Sequence, residues 1–401
     1  MSGPNNLIYE ENTMLTLSEA KQRQAVMQGM LAEQGLDGAL FIYPIDVYYF
    51  TGTRQNGSLW LPVSGDPTLM IRKSLVRARE DSPLSDIRPF PPSKEFAAVL
   101  PETVKKIGMT FDVVPVQQLK YYNKLLPECE FVDISLLNRE IRSVKSDLEV
   151  DLLKLSGANL SSIFTQVPQF LSAGMRELDL AAEFEIRLRK TGGEGYVRMR
   201  AFNQELALGL AVSSGGASYG FFDGAVTGKG LSSASPQGAS LEIIEKNAPV
   251  FLDYTGVFGG YITDMTRIYV IGELDEELKR AFEVSLCIQK FLQDSLKPGE
   301  ICEDLFVKSQ EIATDAGLGD CYMGMPGEQA RFVGHGVGLE LDEFPVVAQG
   351  FKVPLKVGHT IAIEPKFVIP GKGVIGIENT FVVTLDGGLK ITDIPDEITY
   401  L

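Results

Sequence analysis

The segment VFLDYTGVFGGYITDMTRIYVIG, residues 250–272, constrains the fold more than any other stretch of the chain. Its β-branched and aromatic residues run up to a Gly-rich centre and away from it, the pattern of an antiparallel hairpin. A two-residue turn at Phe258 and Gly259 would set Asp253 opposite Asp264 on one face of the pair. Opposed residues on neighbouring strands have Cβ atoms roughly 5 Å apart. Two carboxylates so placed repel each other unless a cation lies between them or one takes up a proton.

A second hairpin repeats the device. In HTIAIEPKFVIPGKGVIGIENTFVVT, residues 359–384, a turn around Pro370-Gly371-Lys372 places Glu364 opposite Glu378. Between the hairpins lies Gly334-His335-Gly336-Val337-Gly338-Leu339, where glycines let the backbone pass close to a site and a single imidazole projects as a nitrogen ligand. Asp253, Asp264, His335, Glu364 and Glu378 therefore make an oxygen-rich set suited to two divalent ions of Mn, Co, Fe or Zn rather than to a thiolate-type structural zinc. Two such ions about 3.5 to 4 Å apart activate water and clamp a tetrahedral intermediate, so hydrolysis is the chemistry the set points to. Strand alternation puts Lys366 on the face of Glu364, either as a donor to the reacting oxygen or as a charge-balancing ammonium.

Alternating helix and strand patterns over 401 residues, 44% of them hydrophobic, are enough for two domains. The first part reads as α/β. The helical stretch LSEAKQRQAVMQGMLAEQG stops at Gly35, an apolar strand follows at Ala39 to Tyr43, and SLWLPV and PTLMIRK add strands. Ser146-Asp147-Leu148-Glu149 is a capping-box signature, and the domain boundary is placed just before it, giving domains of residues 1–143 and 144–401. Gly174 to Leu180 and Gly299 to Leu305 share the pattern G-x-x-x-x-D-L at helix starts, each helix ends in glycine (Gly192-Gly193 and Gly317), and each is followed by an acidic hairpin. An internally duplicated domain with pseudo-two-fold symmetry accounts for this. A net charge of −16 with no compact basic run argues against nucleic acid and anionic membranes as partners. Residues 1–15 lack the pattern of a secretory leader, and no apolar run has the length of a spanning helix. Cys129, Cys287, Cys302 and Cys321 form no CxxC motif and read as free thiols, so a cytoplasmic protein is expected.

These motifs resemble metallopeptidase family M24, the pita-bread fold of prolidase, aminopeptidase P, methionine aminopeptidase and creatinase. LAEQGLDGALFIYPIDVYYFTGTR resembles the creatinase-type N-terminal domain. Asp253 and Asp264 fall where the family has D-x-G and D-x-T-R, His335 on G-H-G-x-G-L, Glu364 on I-E-P and Glu378 on I-E-x-T. The resemblance implies an α/β (α+β) chain, with a small creatinase-type domain followed by a pita-bread domain. It also implies five filled ligand positions, Glu364 as general base, and a homodimer acting on a small peptide or small molecule. Relatives of the prolidase type carry a second histidine seven residues after the first; here that position is Asp342. They carry another upstream of the first Asp, but this chain has only two histidines, His335 and His359, and the corresponding region places Phe221, Phe222 or Asp223 near the missing residue. His359, preceding a strand, reads as a polar residue at its entrance. Asp342 either favours a cationic substrate group or orients His335. Thr266 and Arg267 are expected to support the hairpin, and Arg54 resembles residues that reach a neighbouring protomer's site. The leading expectation is an Xaa-Pro peptidase. The alternatives are a non-peptidase acting on a small cationic metabolite and a catalytically silent binding protein.

Overall fold

The computed structural model describes residues 15–200, 205–213 and 224–401. They divide into two compact units, one of Met1–Arg142 with Arg200–Phe202, the other of Ser143–Met199 with Asn203–Leu401.

In the first unit, Thr16 caps the helix Leu17–Glu33 by accepting a hydrogen bond from the Glu19 amide, and Gly35, in the left-handed region, follows its end. The strands β1 (Gly38–Phe41), β2 (Gly57–Pro62), β3 (Thr68–Ile71), β4 (Ile87–Pro89), β5 (Lys106–Met109) and β6 (Glu130–Asp133) form one mixed sheet in the order β4-β3-β2-β1-β5-β6. The near-continuous apolar runs Gly38–Phe41 and Thr68–Ile71 are buried along their whole length, as inner strands covered on both faces should be.

The first helix of the second unit opens on the expected capping box. The Ser146 hydroxyl accepts from the Glu149 amide while the Glu149 carboxylate accepts from the Ser146 amide, opening the helix Asp147–Phe164. The helix Glu177–Lys190 follows, and then the strands β7 (Gly209–Val212), β8 (Pro249–Phe258) and β9 (Tyr261–Val270). The same order recurs: helices Glu276–Ser295 and Cys302–Asp315, then β10 (Phe332–Val337), β11 (Leu341–Ala348), β12 (Thr360–Ile363), β13 (Lys366–Ile369), β14 (Gly373–Gly376) and β15 (Asn379–Val383). The strands β16 (Gly388–Lys390) and β17 (Thr399–Tyr400) complete two sheets, β11-β10-β12-β15-β16 and β17-β9-β8-β7. The sheets meet where Thr266 of β9 bridges Glu378, and where Thr380 both accepts from the Asp264 amide (3.0 Å) and donates to the Asp264 carbonyl (2.9 Å). No helix among the described residues is long and apolar enough to cross a membrane.

One expected register needs correction. Phe258 pairs with Tyr261, so the turn is Gly259-Gly260 rather than Phe258-Gly259, and Asp253 faces Thr266 while Asp264 faces Thr255. The reason is steric: a tight hairpin turn of this hand needs positive φ at both central residues, and Gly259 and Gly260 have φ of 56° and 82°. The slip is an even one, so both aspartates stay on one face as diagonal neighbours. In the second hairpin, Ile363 pairs with Asn379 and Lys366 with Gly376, and the register between them sets Glu364 opposite Glu378 as expected.

His359 sits just before β12 with 1% of its surface exposed. Its Nδ1 accepts from the Lys356 amide (3.1 Å), which leaves the proton on Nε2, 3.4 Å from the Ser143 hydroxyl. Burial first, then Lys145 and Lys356, pull its pKa down to about 3. The folded protein therefore keeps a neutral imidazole where the unfolded chain, with the ordinary value near 6.5, takes up a proton. The stability this site contributes is whole above that value and is lost as pH falls toward 3. Replacing His359 by asparagine should flatten the acid limb of a melting-temperature profile. The native chain should lose about 2 kcal/mol more than the variant between pH 8 and pH 5.

Candidate metal centre

Asp253 on β8, Asp264 on β9, His335 on β10, Glu364 between β12 and β13, and Glu378 between β14 and β15 all line one cavity of about 400 Å³ in the second unit. Each ligand-bearing residue lies on or beside a strand, which fixes its backbone. Two glycines flanking His335 are required by packing: a Cβ on Gly334 would lie 2.5 Å from the Ala362 carbonyl oxygen, and one on Gly336 would lie 2.5 Å from that of Glu343. The imidazole is thereby carried in on a backbone pressed between β11 and β12.

Three of the five expected ligands converge. Asp264, His335 and Glu378 each offer one ligand atom, and these atoms lie within 4.8 Å of one another. All three residues are buried, at 6%, 6% and 1% exposure. His335 Nδ1 is 3.2 Å from the Gly336 carbonyl and 3.3 Å from the Asp342 carboxylate, both acceptors, so the Nδ1 proton belongs there and the Nε2 lone pair is left for a cation. Thr266, opposite Asp253, donates to Glu378 Oε2 at 2.8 Å and steers that carboxylate. Thr255 stands where the D-x-G motif has glycine, and its hydroxyl donates to the Leu208 carbonyl at 2.8 Å.

The other two expected ligands have a different neighbour. Lys366 Nζ lies 2.6 Å from Glu364 Oε2 and 3.2 Å from Asp253 Oδ2, with the lysine 1% exposed. Burial works against its charge, but Glu364 and Asp253 outweigh it and hold the ammonium well above the usual lysine range. Glu364 Oε1 also lies 3.5 Å from His335 Nε2.

The electrostatics of the carboxylates fit a cation. Burial, followed by Asp253, pushes the Asp264 carboxyl up to about 8. Burial followed by Asp264 raises Glu378 well above the carboxylate range. Asp253 is raised by burial, with Lys366 opposing. Buried acids whose ionised forms are disfavoured in this way are what a divalent ion stabilises. For His335, burial pulls the pKa down while Asp342, Glu364 and Asp264 pull it up, and the acids prevail.

Asp342 occupies the left-handed region (φ 58°), which turns its side chain toward His335 while leaving it 45% exposed at the cavity wall. Asp342 thus lies within reach of His335 and at the cavity wall, the placement that either expected role requires. The apolar part of the wall includes Leu206, Leu208, Phe332, Leu341 and Val346, which come from three separate segments and share no local pattern that sequence reasoning could use. Arg54 belongs to the first unit and is exposed. Phe221, Phe222 and Asp223 lie outside the described residues.

Residues 151–385 match the model of metallopeptidase family M24, and residues 23–144 match the creatinase/prolidase N-terminal domain. The chain belongs to metallopeptidase family M24. It is thus a hydrolase of the pita-bread fold preceded by a creatinase-type domain. Among its relatives, an Xaa-Pro dipeptidase of Pyrococcus furiosus is 27% identical over 383 residues, covering 94% of this chain and 99% of the relative. An Xaa-Pro dipeptidase of Lactobacillus delbrueckii is 26% identical over 390 residues, covering 94% and 98%. Of solved structures, an Xaa-Pro dipeptidase from Bacillus anthracis superposes with a TM-score of 0.80 at 24% identity, covering 95% of this chain and 100% of that one. The prolidase from Pyrococcus horikoshii gives 0.78 at 23%, covering 93% and 99%. At these identities the superpositions speak for the M24 fold alone.

Proposed function

We propose that the protein hydrolyses the C–N bond of Xaa-Pro dipeptides with a divalent ion held by Asp264, His335 and Glu378. The observation that carries this is the convergence of those three buried side chains on a cavity of about 400 Å³, a size suited to a dipeptide. The names of the relatives point the same way. A divalent ion supplies Lewis acidity, polarising a carbonyl and making water a nucleophile near neutral pH.

The chain's own residues supply the rest. Glu364, its Oε1 beside His335, is the proton acceptor for the attacking water and passes the proton on to the leaving nitrogen. Asp342 at the cavity wall receives the substrate's α-ammonium, and the apolar wall of Leu206, Leu208 and Leu341 takes the proline ring. Thr266 holds Glu378 in place. A cytoplasmic homodimer belongs to the same proposal; all four cysteines are free thiols, as a reducing compartment allows.

The test is a peptide panel with Mn(II)- or Co(II)-loaded protein: Gly-Pro and Ala-Pro should be cleaved, Gly-Ala should not. One observation favours a second reading. With Asp342 in place of the family's second histidine, the wall offers a carboxylate where a neutral donor is usual, which suits a small cationic amide instead of a peptide. Inactivity on every Xaa-Pro substrate, with turnover of such amides, would establish that reading and remove the first.

A further inference from the structure

The metal-dependent reading leaves open how many ions the centre takes, and the side chains divide unequally on this point. Among the described residues, the group whose ligand atoms meet within 4.8 Å contains Asp264, His335 and Glu378 but neither Asp253 nor Glu364. Those two carboxylates converge instead on one nitrogen, Lys366 Nζ, at 3.2 and 2.6 Å. An ammonium has three protons and no lone pair, so it occupies the space between two carboxylates as a cation does but cannot itself ligate a metal.

The lysine is held there by its surroundings. It opens β13, opposite Gly376 of β14, and a Cβ at Gly376 would lie 2.5 Å from the Lys366 Cβ and 2.7 Å from its Cα. Only glycine leaves room for the stem to run inward at that register. The ammonium lies 5.3 Å from the centroid of the Phe251 ring, a further favourable contact for a desolvated cation. The lysine is 1% exposed and lines the same cavity as Asp253 and Glu364.

We propose that this chain holds a single divalent ion, at Asp264, His335 and Glu378, and that the Lys366 ammonium takes the place of a second cation between Asp253 and Glu364. The proposal rests on the metal-dependent reading above and replaces the two-ion expectation drawn from the hairpins. It assigns Lys366 a positioning role: it neutralises Asp253 and directs Oε2 of Glu364 away from the reacting water, leaving Oε1 to take the proton. The four carboxylates of the centre then face three positive charges, and with Asp342 on the same wall the cavity keeps a net negative charge that a substrate ammonium can balance.

Stoichiometry tests this without reference to turnover. Protein stripped with a chelator is titrated with Mn(II), freed of excess by gel filtration, and its metal counted by mass spectrometry. About one ion per native chain is expected, with the six-line electron paramagnetic resonance spectrum of an isolated Mn(II). Two ions per native chain, with an exchange-coupled spectrum, would overturn the proposal while leaving the metallohydrolase reading intact. No bound ion would overturn both. Lys366→Gly frees Asp253 and Glu364 and should raise the count from about one to about two. A folded Lys366→Gly protein that still binds one ion contradicts the role given to the lysine. The count on the native chain decides the matter even if that variant does not fold.

Discussion

Replacing Asp264 by asparagine should reduce Xaa-Pro hydrolysis by about 1000-fold, the equivalent of about 4 kcal/mol, and weaken Mn(II) binding in parallel. Asp264 is one of the three residues whose ligand atoms converge and would hold the ion, so the loss is expected at the centre itself and not in substrate affinity. The same substitution should stabilise the metal-free protein. Asp264 is 6% exposed in a cluster with Asp253, Glu364 and Glu378, and without a divalent ion burial and its neighbours push its carboxyl up to about 8, so that at neutral pH folding must supply a proton the unfolded chain does not hold. Asparagine keeps the shape and needs no proton in either state, and should raise the melting temperature of the metal-free protein at neutral pH by a few degrees, corresponding to roughly 1 to 2 kcal/mol. Loss of activity together with a gain in apoprotein stability is the signature of a residue kept for a cation. Loss of both would mark Asp264 as a structural carboxylate.

Arg267→Ala has the opposite character. The guanidinium is 3% exposed and donates to the carbonyls of Thr266 (2.8 Å), Glu378 (2.9 Å) and Pro395 (3.1 Å), to Asn379 Oδ1 (2.8 Å) and to the Asp396 carboxylate (3.0 Å). It ties β9, the backbone of Glu378 and the C-terminal segment into one hydrogen-bonded block. Removing it takes a donor from the buried carbonyls of Thr266 and Glu378 and leaves Lys390 as the remaining cation on Asp396, at a cost of about 3 kcal/mol. A melting-temperature drop of roughly 10 °C is expected for a unit of this size. Lysine at this position should recover only a small part, because a point charge cannot replace a planar fork bonded to six acceptors, the Ile394 carbonyl (3.3 Å) included. Activity should fall as well, since the block carries Glu378. A variant that melts like the native protein would show that the contacts around Arg267 are incidental.

Where the signals were local, the sequence was readable. The Ser146 box, the glycines closing both repeated helices and the second hairpin's register depend on residues within a few positions of one another, and the structure has them where expected. The first hairpin's register differs from the expected one by two residues because only Gly259-Gly260, and not Phe258-Gly259, adopts positive φ at both turn positions without strain. The even slip kept both aspartates on one face, so the site survived an incorrect turn. Other features depend on tertiary placement and could not be read from spacing. Strand alternation brought Lys366 to the face of Glu364, but its contact with Asp253 joins residues 113 positions apart. The left-handed backbone at Asp342 and the apolar wall drawn from three segments have no sequence signature either.

The most direct test of the central claim is an anomalous-difference map from crystals of the native protein loaded with Mn(II) or Co(II). The account predicts a peak among Asp264, His335 and Glu378, with Lys366 still bridging Asp253 and Glu364. A map with no peak at those three residues, or with the ion bound elsewhere, would contradict it.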